Sequence, residues 1–166
     1  MAEALLVTRQ DIVKFTALNG NVDTDKFIQF VKIAQDTDLQ NYTGTQLLEK
    51  IKADILASTL TGDYLTLTTT YLKPMLIHLA MKYYLPFAAY TISNKGVYKH
   101  NSENSTNVEK NEVDYLITKQ TAIAQHYVER FIEYITGNTN LFPEYNSNTS
   151  GDMYPDTNNN YTGWYI

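Results

Sequence analysis

Apolar and polar positions alternate along this chain with a helical period almost throughout. Thr8 stands before Arg9, Gln10 and Asp11 as a cap with an acid in the first turn, and Ile12, Val13 and Phe15 then lead to a stop at Asn19-Gly20. A short first helix is predicted. Asp23 or Thr24 caps a second, in which Phe27, Phe30, Val31 and Ala34 recur at helical spacing before residues 36–41 run toward Thr43-Gly44. From Thr45, the residues Leu47, Leu48, Ile51, Ile55 and Leu56 repeat at intervals of three and four, and Gly62 supplies a stop. The stretch from Asp63 reads as a fourth helix ending near Ser93 although 65–70 is β-branched, with bends at Pro74, if it lies beyond the first turn, and at Pro86.

Beyond this the pattern changes twice. Asn94-Lys95-Gly96 is a turn signal, Val97-Tyr98-Lys99 alternates like a short strand, and 100–110 is polar, so a loop or small hairpin is expected. Asn111 then caps a long helix closed by Gly137, with Val113, Leu116, Ile117, Ile123, Ala124, Tyr127, Val128, Phe131, Tyr134 and Ile135 on a broad apolar face. At about 25 residues it would run roughly 37 Å, the length of the whole bundle. The fold class is therefore all-α: a helical bundle over residues 1–137, with a long C-terminal helix and a small insertion.

After Asn138 composition replaces periodicity. The last 29 residues hold seven Asn, four Tyr, Phe142 and Trp164, with three acids and no Lys or Arg. A solvated linker would be poor in aromatics, whereas Phe142, Tyr145, Tyr154, Tyr161, Trp164, Tyr165 and Ile166 gain most from burial against a surface. Residues 138–166 thus read as an extended docking arm with these seven as partner-binding residues. The alternative is a tail folded back over its own domain.

Charge and chemistry narrow the function. The chain of 166 residues carries a net charge of −5 and no cysteine, which disfavours stable nucleic-acid binding and removes disulfides, thiolate metal sites and cysteine nucleophiles. The N-terminus lacks the pattern of a secretory signal, and the most apolar run, 75–89, is too short and too interrupted to span a bilayer, so neither secretion nor a membrane is expected. His78, His100 and His126 lie far apart and form no metal-binding pattern; His78 reads as a satisfied buried or interface histidine, His126 as a helix-face residue. No phosphate loop, dinucleotide fingerprint or nucleophile elbow occurs, and the pairs Asp36/Asp38 and Glu112/Asp114 sit where solvated or helix N-terminal acids are usual. No catalytic, cofactor or metal residue is assigned, and an enzyme is not expected. Fourteen tyrosines, among them Tyr71, Tyr83, Tyr84, Tyr90, Tyr98, Tyr115 and Tyr127, suit either a half-wet subunit interface or a Tyr-rich core. Lys95, Lys99, His100 and Lys110 are the one basic concentration, diluted by Glu103 and Glu109 on a solvated loop.

The run Tyr71-Leu72-Lys73-Pro74-Met75, then Tyr83-Tyr84-Leu85-Pro86-Phe87, Ser93-Asn94-Lys95-Gly96-Val97 and Asn101-Ser102-Glu103-Asn104-Ser105, resembles the head–tail connector (adaptor, or head-completion) ring proteins of tailed bacteriophages, in particular ring proteins of the crAss-like phages. The long helix and Phe142-Pro143-Glu144-Tyr145 extend the likeness over about residues 5–145. The resemblance implies a virion protein at the capsid vertex, made in the host cytoplasm and assembled as a homo-oligomeric ring, commonly a dodecamer, beneath the portal protein. Such a ring extends the DNA channel, passes double-stranded DNA without specific binding, and docks the next tail or ring protein. The loop carrying Lys95, Lys99, His100 and Lys110 would then face the channel or an axial neighbour. A different expectation is a non-enzymatic helical binding module whose aromatic tail is a recognition motif.

Overall fold

Thr8 caps the first helix as its sequence predicts. Its hydroxyl accepts the Asp11 N–H at 3.3 Å, and the Asp11 carboxylate accepts the Thr8 N–H at 3.0 Å, closing a reciprocal box at the start of α1 (Arg9–Phe15). A computed structural model describes residues 4–16, 24–88, 90–93, 96–99 and 110–158. Two helical rods follow α1. In the first, α2 (Thr24–Ala34) passes through a wide π turn, Gln35–Leu39, into α3 (Gln40–Thr43); α4 (Thr45–Ala57) turns away at Gly44. In the second, α5 (Gly62–Thr66) passes through another wide turn, Leu67–Leu72, into α6 (Lys73–Tyr84) and a 3-10 turn, Leu85–Phe87.

The second wide turn stands immediately before Pro74, in the second position of α6. A proline inside a continuous helix lacks one N–H and crowds the carbonyl four residues back, so here the distortion takes the form of a widened turn. The second bend expected, at Pro86, ends the helix instead. The rod stops at Phe87, short of the Ser93 expected from sequence, and the β-branched Tyr90–Ser93 is strand β1, paired antiparallel with β2 (Gly96–Lys99) from Tyr90↔Lys99 to Ser93↔Gly96. The expected hairpin insertion is present; its side chains, and the polar residues 100–109, lie outside the described residues.

Helix α6 is the axis of the core. Met75, Leu76, Ile77, Leu79, Ala80 and Met81 are all buried, an apolar surface around most of the helix, because α2 packs on one side and α7 (Lys110–Gly137) on the other. With its 28 residues α7 is about 42 Å long. Only its second half completes the core, through Ala124, Val128, Phe131, Ile132 and Ile135. The expected apolar face also included Leu116 and Ile123, but both are exposed, since the α2–α6 layer covers only the C-terminal half. The fold is all-α, with this one hairpin among the described residues.

The N-terminal segment enters the core without regular structure of its own. Leu6 and Val7 are buried, and their backbone is held by Gln35, which is itself fully buried in the first wide turn. Its side-chain oxygen accepts the Leu6 N–H and its amide donates to the Ala4 carbonyl, both at 3.0 Å.

The chain after Gly137 departs from the expected arm. Two 3-10 turns, Thr139–Leu141 and Pro143–Asn146, fold it back so that Phe142 is 0% and Tyr145 4% exposed, inside the same apolar cluster as α6 and α7. Phe142 packs edge-on against Tyr64 at 5.3 Å between ring centroids, and Tyr145 meets Phe131 at 6.4 Å. These two residues are core, not docking residues: burying large rings in the chain's own core removes apolar area from water with no partner required. The packed body thus extends beyond 137, through at least Tyr145.

Candidate functional site

Helix α4 begins at Gly44, which has no side chain to cap it, so its first N–H groups need partners from elsewhere. The returning tail supplies them. Thr45 N–H donates to the Met153 carbonyl at 3.0 Å, and Gln46 N–H donates to Asn148 Oδ1 at 3.1 Å, an N-cap delivered from 102 residues away. Gln46 Nε2 reaches Asp152 at 2.8 Å, and Asp156 N–H donates to the Asn41 carbonyl at 2.8 Å. The Thr149 N–H and Gln46 amide hold the Asp152 carboxyl below the usual carboxylate range. Of the seven residues expected to bind a partner, Tyr154 is 63% exposed, whereas Tyr161, Trp164, Tyr165 and Ile166 lie outside the described residues.

A seam of rings joins the second rod to α7. Tyr71 stacks on Tyr134 at 4.2 Å, His78 on Tyr127 at 5.2 Å, and the Arg130 guanidinium lies over both Tyr71 and Tyr127 at 5.6 and 5.9 Å. Tyr84 meets Phe27 and Phe30 edge-on. The expected tyrosine cluster is thus partly internal: Tyr71, Tyr83, Tyr84 and Tyr127 lean on their own core, and only Tyr115 of those described stands out, 60% exposed.

At the upper end of this seam, α1, the second wide turn, α6 and α7 enclose a cavity of about 430 Å³. His78 and Tyr127 form one wall, Asp11 and Lys73 bridge another at 3.0 Å, and Lys14 and Phe15 stand at its edge. The half-buried His78 is satisfied by Gln120, 2.5 Å from Nδ1, and burial pushes its pKa down. Burial alone would raise the Asp11 carboxyl, but the Thr8 N–H and hydroxyl and the Lys73 ammonium outweigh it and hold it below the ordinary range. Among the described residues no three His, Asp or Glu side chains converge as a metal ion requires, and no helix is long and apolar enough to cross a membrane.

A second feature is surface. Along the first half of α7, Tyr115, Leu116 and Ile123 are exposed. Leu141, beyond the other end of α7, and Leu65, next to the Tyr64 that packs on Phe142, are exposed as well. From Leu116 to Gly137 the helix covers roughly 30 Å at about 1.5 Å per residue, so the patches are far apart. Of the basic residues expected on the loop, Lys110 is exposed at the first turn of α7 and Lys99 ends β2, while Lys95 and His100 lie outside the described residues.

Residues 39–155 match a family described only as a family of unknown function (DUF6712), which is well over half of the chain. The chain belongs to this family. No curated protein and no solved structure matches it. The DUF6712 span begins at the last residue of the first wide turn and stops at Pro155, so it takes in the tail that caps α4 and leaves α1 and all of α2 outside. That boundary agrees with the packing: 138–155 belongs with the bundle.

Sequence reasoning missed the Gln35 clip and the cavity, and held the return of the tail only as the alternative to a docking arm. One local signal was available for the last: Leu141-Phe142 follows the Gly137 stop within one turn, a spacing that suits a helix folding back on its own apolar side.

Proposed function

We propose that this DUF6712 chain is a structural virion subunit that assembles head-to-tail into a connector ring beneath a portal protein, extending the DNA channel and docking the next tail component. The observation that carries the reading is the pair of distant, unlike apolar patches, Tyr115/Leu116/Ile123 on α7 and Leu65/Leu141 at the opposite end. Two patches that are not copies of one another favour a heterologous contact, and a heterologous contact repeated at a fixed angle gives a ring where the rotation divides a full turn and an open filament where it does not. A rigid helix between them would set that angle. The resemblance to phage connector proteins and the net charge of −5, which disfavours retention of passing DNA, support the same reading. The role is mechanical, and no group of side chains among the described residues is assigned to catalysis.

Mass measurement under native conditions tests it with two variants, Leu116→Asp and Leu141→Asp, each replacing an exposed residue. The intact chain is expected to form a closed oligomer and each variant a monomer. Mixed together, the two variants should give a dimer and nothing larger, because one good patch survives on each. A chain that stays monomeric at about 100 μM, well above the micromolar range of weak specific interfaces, defeats the proposal, as does a mixture that forms no dimer.

A further inference from the structure

The cavity between α1, α6 and α7 is distinct from both apolar patches, and the ring reading gives it no task. Its volume, about 430 Å³, lies within the range of small-molecule sites. Its polar groups are unevenly committed. Asp11 Oδ2 accepts from the Thr8 N–H, the Thr8 hydroxyl and Lys73, so the carboxylate and the Lys73 ammonium largely cancel one another. The Thr69 hydroxyl donates to the Leu65 carbonyl at 2.8 Å. Lys14 contacts only the face of its neighbour Phe15, at 5.1 Å, among the described residues, so one positive charge is left over.

His78 adds a directed donor. An amide NH₂ can only donate, so Gln120 Nε2 beside Nδ1 makes that nitrogen the acceptor and leaves the proton on Nε2. An imidazolium could not accept this bond, and burial favours the neutral ring in the same sense. The Nε2–H has no partner among the described residues. Around these donors the walls are flat and apolar: the Tyr127 ring stacked within 6° of His78, with Pro74, Ile77 and Phe15.

We propose that this cavity is a binding site for a small aromatic carboxylate, its ring lying among Tyr127, Phe15 and Pro74 and its carboxylate meeting the Lys14 ammonium and the His78 Nε2–H. Gln120 acts as a positioning residue by fixing the histidine tautomer. The site draws on α1, which lies outside the matched family span, and none of its lining residues belongs to either apolar patch.

Titration calorimetry of the full chain tests this with indole-3-acetate and its neutral isostere indole-3-acetamide. The acid is expected to bind roughly tenfold or more tightly than the amide, the worth of one charge-assisted hydrogen bond. Lys14→Met, at an exposed position that keeps the aliphatic stem, should cut that preference severalfold and leave the melting temperature unchanged. His78→Phe, which keeps a flat ring and loses the donor, should weaken both compounds, the acid more than the amide, whose carbonyl accepts the same bond less strongly. Equal affinity for acid and amide, an acid preference undiminished by Lys14→Met, or no heat of binding for either compound overturns the proposal.

Discussion

Gln35 holds Leu6 as a neighbouring strand would: its side-chain amide accepts one backbone N–H and donates to the carbonyl two residues back, both bonds at 3.0 Å. The N-terminal segment thereby enters the core without leaving those buried backbone groups unpaired. Gln35→Ala removes both partners at once. Each group left unsatisfied costs about 1–3 kcal/mol, so a loss of roughly 2–4 kcal/mol is expected in urea unfolding. A loss below about 0.5 kcal/mol, the scale of an ordinary surface substitution, would show that the clip is not needed.

Gly44 must remain glycine. Its φ of +75° already disfavours a side chain, and a Cβ there would lie 2.8 Å from Asn148 Nδ2 and 2.9 Å from Pro155 Cγ. Pro155 is a ring on a hydrogen-bonded segment and cannot swing aside as a flexible side chain could. Gly44→Ala should therefore lift the tail from the start of α4, costing about 1–3 kcal/mol. Protease cleavage within 149–158 should accelerate, and an unchanged cleavage rate would contradict the contact.

The tyrosines make stability fall at alkaline pH. Burial first, and then the nearby Asp156 charge, push the Tyr145 pKa up to about 12, against about 10 in an unfolded chain. Between those values the folded state keeps a proton that the unfolded state has lost, so stability falls as pH rises, by about 1.4 kcal/mol per pH unit from this residue. Tyr64, raised by burial and then by its hydrogen bond to Glu144, moves in the same direction. The Tyr145 hydroxyl is buried without a partner among the described residues. Tyr145→Phe should then cost little or nothing at pH 8 and flatten the decline from pH 10 to 12, and unfolding curves with the slope of the parent chain would refute the assignment.

How much of this was legible in the sequence follows from how local each cause is. Thr8 and Asp11 are three residues apart, and the box they form was readable from spacing alone. The helical period of α7 was equally plain, but which half would be buried depends on how far the α2–α6 layer extends, and no periodicity carries that. Gln35 looks like any polar residue near a helix end, because the backbone that needs it lies 29 positions away. The tail follows the same rule. Its aromatic residues call for a surface to bury against, but composition does not say whose: Phe142 fills a space in its own chain beside Tyr64 and Tyr134, and Asn148 serves as the cap that Gly44 cannot provide. The cavity is assembled from four separate elements, so only its individual residues, Asp11 and His78 among them, could be noticed beforehand.

These contacts decide where a deletion can be cut. Removing 138–166 would strip Phe142 and Tyr145 from the core and uncap α4. Losing a buried Phe alone costs about 3–5 kcal/mol, and losing a cap about 1 kcal/mol more, against a total stability of roughly 5–15 kcal/mol. That chain should fail to fold, and failed assembly would then say nothing about docking. Removing 159–166 leaves every described contact in place while deleting Tyr161, Trp164, Tyr165 and Ile166. Its melting temperature should match that of the full chain. If these aromatic residues staple neighbouring subunits, the shortened chain stays folded but its native mass falls to that of a monomer; a closed oligomer of unchanged size would restrict assembly to the patches on α7 and beside Leu141.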